Sequence, residues 1–250
     1  FKFDTIFLSL GAINRSSANP IADVGVYNIA YKILEGLIFF PSMFVGLIMP
    51  ILSKFAVSDK EQFKKVFQKT FDVLIIFVVP MVIGLLVLSL PIVVLIGGRD
   101  FVDSASVLKI LSIAVGLIFF GNLFGSSIIA LNKQKIGAYI YLSGMIFNIV
   151  TNLIFIPKYS YFGAAWTTVA TELLVTILMF WLIYKNIKYL PSLGVTIKSF
   201  LAGLIMFLFL YFLKGQNLFL LVGGGGVIYF TFLYWIKGVT REEINLLIKK

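Results

Sequence analysis

Residues 141–183, YLSGMIFNIVTNLIFIPKYSYFGAAWTTVATELLVTILMFWLI, constrain this chain more than any other stretch. Two apolar runs meet there at a short polar corner, IPKYSYFG. About 20 helical residues, rising 1.5 Å each, cover the ~30 Å hydrocarbon core of a bilayer. Each run is long enough to do so. The corner supplies Pro157 to end one helix, with Lys158, Tyr159 and Tyr161 to sit among headgroups. Gly163 then opens the next helix under close packing. Polar residues recur inside the runs: Asn148, Thr151 and Asn152 on the first, Thr167, Thr168, Thr171 and Glu172 on the second. Each would cost free energy against lipid, so they should face another helix or a wet cavity.

The same pattern repeats along the chain. Hydrophobic segments fall at 3–18, 24–55, 70–97, 105–131, 137–156, 162–184, 195–213 and 217–236. All but the first are of full length. Charged residues make up 13% of the chain, against about 25% in a soluble domain, and 26 Phe exceed what a soluble core of this size could hide. The expected fold class is therefore an all-α membrane protein, a polytopic bundle of about eight transmembrane helices. The chain opens on FKFDTIFLSLG, without Met and without the basic region and cleavage site of a signal peptide. Further helices are expected upstream.

Local features refine this picture. The run 24–55 exceeds one membrane thickness, which leaves its first two turns for the membrane surface, and Pro41 and Pro50 predict bends. Pro80 and Gly84 predict another. The charge-rich segment 56–69, AVSDKEQFKKVFQK, reads as a surface helix or loop. GNLFG at 121–125 is a small-xxx-small pattern, read as close packing within the bundle rather than as a dimer contact. LLVGGGGVIY lacks the GK[ST] of a phosphate loop and reads as a thin, closely packed helix. The tail 237–250 is amphipathic and suits the membrane surface.

The turns alternate in charge. One set holds Lys2, Lys54, Lys60, Lys64, Lys65, Lys69, Lys133, Lys135, Lys185, Lys188, Lys198, Lys237, Arg241, Lys249 and Lys250, fifteen of the 21 basic residues. The opposite set holds Arg15, Arg99, Lys109, Lys158 and Lys214. The positive-inside rule makes the first set cytoplasmic, so the first helix runs outward and the C-terminus is cytoplasmic. The net charge of +10 is thus explained by turns beside anionic lipid, not by nucleic acid.

The chain has no His and no Cys. This excludes a Ser-His-Asp triad, thiolate chemistry and the usual transition-metal sites, and no cofactor is expected. Nothing here reads as an enzyme. The candidate binding or coupling residues are the polar groups within spans. Glu172 sits near mid-membrane, where a carboxylate pairs with a cation or is protonated, so it is a candidate for H+ or Na+ coupling; the alternative is a structural bond to a neighbouring helix. Lys32 and Glu35 share a helix face: Lys32 either offers positive charge to a cavity, tuned by Glu35, or snorkels. Asn148 and Asn152, at i and i+4, either line a cavity or tie helices together. Arg15, Arg99 and Lys109 lie toward the outer side and are weaker candidates to hold a phosphate or sugar acid.

Two stretches carry a resemblance. VGVYNIAYKILEGLIFFPSMFVGLIMPILSKF has a Gly-x-Tyr-x-x-Ala opening, an internal Pro and a Pro-x-x-Ser ending. NIVTNLIFIPKYSYFGAAWTTVATE has an Asn-rich helix, an Ile-Pro corner, a Gly-Ala-Ala start and a Thr-rich helix ending in Glu. The chain resembles the Wzx-type polysaccharide-biosynthesis flippases of the multidrug/oligosaccharidyl-lipid/polysaccharide exporter superfamily. The second pattern is shared across that superfamily. The resemblance implies the C-terminal half of a fourteen-helix flippase fold. Residues 1–190 would form the six-helix bundle of the seventh to twelfth helices, and 191–250 two additional helices and a tail. It implies a bacterial inner-membrane transporter that moves undecaprenyl-pyrophosphate-linked O-antigen or capsule repeat units outward by alternating access, coupled to a cation. Its partners would be membrane lipids, the lipid-linked glycan and other polysaccharide-assembly proteins. Lys32 would then meet pyrophosphate, and Glu172 would serve coupling. The alternatives are a lipid II flippase, which calls for a more cationic cavity than one interior Lys supplies, a cation-coupled multidrug exporter, and a non-transporting membrane protein.

Overall fold

A computed structural model describes residues 3–10 and 18–238. All regular structure among them is helical. The helices are α1 (Phe3–Ser9), α2 (Pro20–Ser58), α3 (Lys60–Gly97), α4 (Ser104–Ala130), α5 (Gln134–Ile187), α6 (Gly194–Phe212) and α7 (Leu218–Trp235), with a 3-10 turn at Arg99–Phe101. Those from α2 to α7 are all long and apolar enough to cross a membrane. The chain is a multi-pass membrane protein.

The 54 residues of α5 would span about 80 Å as a straight rod, more than twice a bilayer core. They do not form one. Ser160 breaks the helix with φ 47 and ψ −129. Across the break, Asn148 hydrogen-bonds Thr171 and Gly144 faces Val175, each pair nearly symmetric about Ser160. The segment is therefore an antiparallel hairpin with arms 134–159 and 161–187, and the full-length spans among the described residues number seven, as the hydrophobic segments predict. The corner differs in detail from its sequence reading. Pro157 stays within the first arm, and the turn is made three residues later, by Ser160. Ser160 Oγ donates to Asp23 of α2, which anchors this unusual backbone conformation. Gly163 is required by contact: a Cβ there would lie 2.6 Å from the carbonyl oxygen of Phe155.

The segment 56–69 is neither a loop nor a separate surface helix. One residue, Asp59, makes the turn. Its N–H donates to Phe55 O and closes α2, while its carboxylate accepts from Glu61 N and Gln62 N and caps α3. The charged residues from Lys60 to Lys69 are simply the first turns of α3. α2 continues through Pro41 and Pro50, and α3 through Pro80 and Pro91, as single helices. The first turns of α2 do not lie apart on a surface. Val26, Tyr27 and Ala30 are buried, and Ser104 Oγ donates to Val26 O.

Phenylalanines fill the seam between α2, α3, α4 and the second arm of α5. Phe40 packs on Phe77 at 4.7 Å between centroids, Phe71 on Phe120 at 5.0 Å and Phe124 on Phe180 at 5.5 Å. α6 lies against α3, where Gly203 admits Val79 and Ile83, and α7 lies against α6, where Gly224 and Gly225 admit Phe209 and Leu210. The glycine run is thus a packing surface, as its sequence suggests. Large apolar side chains cover the outside, Phe212, Phe219 and Trp235 among them, as expected where the solvent is lipid.

Candidate functional site

The polar residues that the sequence places inside spans converge on a residue it did not mark out. α1 carries Asp4, which is 1% exposed. Tyr27, on the first turns of α2, donates its hydroxyl to Asp4 Oδ2 at 3.1 Å. Asn148 and Asn152, one turn apart on the first arm of α5, both donate amide hydrogens to Asp4 Oδ1. Thr168 on the second arm lies 3.2 Å from Asp4 Oδ2 and 2.9 Å from the Tyr27 hydroxyl. Asn152 Nδ2 also reaches Asn148 Oδ1 at 3.1 Å, and Asn148 Nδ2 reaches Thr171 Oγ1 at 3.4 Å. Four helical stretches thus meet at one carboxyl group.

Among the described residues no lysine or arginine forms an ion pair with Asp4; the ion pair present there joins Lys64 and Glu61 at the start of α3. The carboxyl is held by neutral donors. One buried acceptor in this network, Asn152 Oδ1, has no hydrogen-bond partner. In a low-dielectric interior such an atom is costly unless something occupies it. The oxygen set suits a proton or a hard cation, and no group of three or more His, Cys, Asp and Glu among the described residues could hold a metal ion.

Asn148 and Asn152 belong to this network. Glu172 stands one turn beyond Thr168, half-buried and outside the hydrogen bonds; it feels the charge of Asp4, and its own charge reaches Tyr31 and Tyr141. Lys32 and Glu35 are exposed on α2 and do not pair with each other. Arg99, in the 3-10 turn, and Lys109, on α4, are exposed, and neither joins the network. Arg15 lies outside the described residues. The sequence signal for Asp4 was an acid inside the apolar run FKFDTIFLSL, a pattern that marks function by default in a membrane span.

A family model described as "Lipid II flippase MurJ" matches residues 27–234. The chain belongs to the MurJ lipid II flippase family. The superfamily inferred from the two sequence patterns is thereby shown, and the branch that matches is the lipid II one. The corner motif could not make that choice, being common to the superfamily. A flippase family is one of transporters, in keeping with the non-enzymatic reading. The fold agrees: a solved structure of lipid II flippase MurJ, in an inward closed conformation, superposes with a TM-score of 0.70 at 18% identity, over 94% of this chain and 52% of that one. The capsular polysaccharide biosynthesis protein CapF of Staphylococcus aureus is 28% identical over 204 residues, covering 74% of this chain and 51% of that protein. A Haloferax volcanii protein named "Probable low-salt glycan biosynthesis flippase Agl15" is 26% identical over 156 residues, 62% of this chain and 33% of that one. The chain spans about half the length, or less, of these relatives.

Proposed function

We propose that the full-length protein carries a polyprenyl-pyrophosphate-linked glycan across the cytoplasmic membrane by alternating access, coupled to a cation. The family match over residues 27–234 carries this reading. The buried network around Asp4 supports the coupling. It joins α1, α2 and both arms of α5, so its occupancy can bias how those helices sit together. A proton would reside on Asp4; Na+ would be held by Asp4, Asn152 Oδ1 and Thr168 Oγ1. Glu172 is a second coupling residue, within electrostatic reach of the first. On the exposed face of α2, Lys32 meets the pyrophosphate and Glu35 tunes it. Arg99 and Lys109 hold anionic groups of the cargo on the outer side, as would Arg15. Residues 1–190 form the transport bundle, 191–250 supply two further helices, and segment 56–69 lies in the cytoplasm.

For the cargo, the family description favours lipid II, and that is the reading adopted. The names of CapF and Agl15 favour a surface-glycan repeat unit as the second. The test is to express the full-length gene in cells depleted of their own lipid II flippase and, separately, in cells lacking their O-antigen flippase. Growth should be restored in the first. Restored O-antigen display without growth would move the cargo to repeat units. Rescue of neither, at normal membrane levels, would overturn the flippase reading.

A further inference from the structure

The hairpin α5 and the second half of α4 do not close on each other completely. A crevice of about 330 Å³ remains between them, at the low end of the ~300–1,000 Å³ range of small-ligand clefts. Gly125 and Ala138 keep it open from opposite walls. The hydroxyl of Tyr141 leans over Gly125, 3.4 Å from where a Cβ would stand. Polar groups converge on the same space. Asn122 has one amide hydrogen engaged with Ile118 O and its oxygen with Ser42 Oγ, which leaves one donor unused. Ser126 does not bond back to its own helix, although its neighbour Ser127 does, to Leu123 O. Gln134 and Tyr141 likewise make no hydrogen bond among the described residues.

This lining decides the ligand class. It contains no Lys, Arg, Asp or Glu, so it offers nothing to a pyrophosphate or a sugar acid. An acyl chain would leave four side-chain polar groups facing hydrocarbon. A neutral, hydroxyl-rich ring satisfies them, with the Tyr141 ring alongside its apolar face. The crevice has room for about one sugar and lies near the turn from α4 into α5, where Lys133 and Lys135 mark the side on which cargo would be loaded.

We infer that the crevice between α4 and the first arm of α5 is a subsite for one neutral sugar of the lipid-linked cargo, held by Asn122, Ser126, Gln134 and Tyr141. The inference rests on the proposed flippase function and adds to it where the glycan is gripped. It also separates two tasks: the pyrophosphate is met on α2, the sugar between α4 and α5.

The test uses full-length protein in detergent and measures binding of undecaprenyl pyrophosphate, bare or carrying one N-acetylglucosamine, one N-acetylgalactosamine or one galactose. At least one glycosylated lipid should bind the wild type fivefold or more tighter than the bare lipid. Gly125→Val, which fills the crevice, and Gln134→Ala, which is milder and lies at a helix start, should each erase that increment and leave bare-lipid affinity unchanged. A retained increment in both variants, or equal loss of bare and glycosylated binding in variants that keep the wild-type melting temperature, overturns the subsite. So does a wild type that binds the bare lipid but prefers none of the sugars; the flippase reading survives that result. A wild type that binds none of the lipids brings down the function and the subsite together.

Discussion

Asp4 is where one atom change has the largest consequence. Its two carboxyl oxygens receive donors from Tyr27, Asn148, Asn152 and Thr168. Asp4→Ala would strand these groups in the interior, at about 1–3 kcal/mol for each one left unpaired. The expected result is a marked fall in melting temperature and in membrane yield. Asp4→Asn keeps the shape and part of the bonding but removes the negative charge. That variant should reach the membrane and bind cargo, yet its flipping in proteoliposomes should no longer respond to an imposed Na+ or pH gradient. A gradient response equal to wild type would remove the coupling role and leave the network a structural tie. Glu172→Gln separates the two acids. It touches no hydrogen bond of the network, so stability should hold within about 0.5 kcal/mol, as for substitutions away from packed features, while the gradient response weakens. How much of this was legible is plain residue by residue. Asn148 and Asn152 stood out as amides one turn apart in lipid-crossing sequence. Asp4 carried the local signal of an acid in an apolar run, but its partners lie more than twenty residues away, so the network it organises left no mark on local pattern.

Among the elements, the hairpin α5 carries the clearest lesson. Its two runs and their polar corner could be read directly, since a bilayer fixes how long an apolar helix must be. The position of the break could not. Proline is the usual breaker, but Pro157 lies inside the first arm, and the chain reverses at a serine with positive φ. A serine there is stabilised by a contact from another helix, Asp23, and tertiary contacts leave no mark on local pattern. Segment 56–69 misled for the converse reason. Its charge suggested a separate surface piece, whereas one capping residue, Asp59, suffices to turn α2 into α3. Two substitutions test the corner. Gly163→Ala drives a methyl against the Phe155 carbonyl, a backbone atom that cannot swing aside, and should cost about 1–3 kcal/mol, seen as a lower melting temperature of the purified protein. Ser160→Gly relieves the backbone but gives up the bond to Asp23, so it should change stability by less than Gly163→Ala does. The link 188–193 offers a parallel case. Gln68 accepts from the Tyr189 hydroxyl at 2.8 Å and from Ser192 N at 2.7 Å, joining the foot of α3 to the strap that leads into α6. Gln68→Ala should speed proteolysis at this strap without altering the remainder of the digest.

On the scale of the whole molecule, two independent asymmetries must agree. One is chemical: most lysines cap the ends at which α2 meets α3, α4 meets α5 and α5 meets α6. The other is geometric. The carboxyl network joins the start of α1, the start of α2 and the hairpin, while the neutral crevice sits toward the turn from α4 into α5. If the lysine-rich ends are cytoplasmic, the proposed sugar subsite opens toward the cytoplasmic leaflet, and the hairpin corner with Ser160 faces out. An inverted chain would place that subsite on the side opposite to loading in the proposed transport. Residues 1–250 contain no cysteine, so with any cysteine elsewhere in the full-length protein replaced, a single introduced thiol here reports alone. Lys65, Asp100 and Lys158 are all exposed at helix ends. In intact cells, a membrane-impermeant maleimide should label Asp100→Cys and Lys158→Cys but reach Lys65→Cys only after the membrane is opened. Labelling of Lys65→Cys from outside, with Asp100→Cys protected, would reverse the molecule and take the assignment of loading side with it.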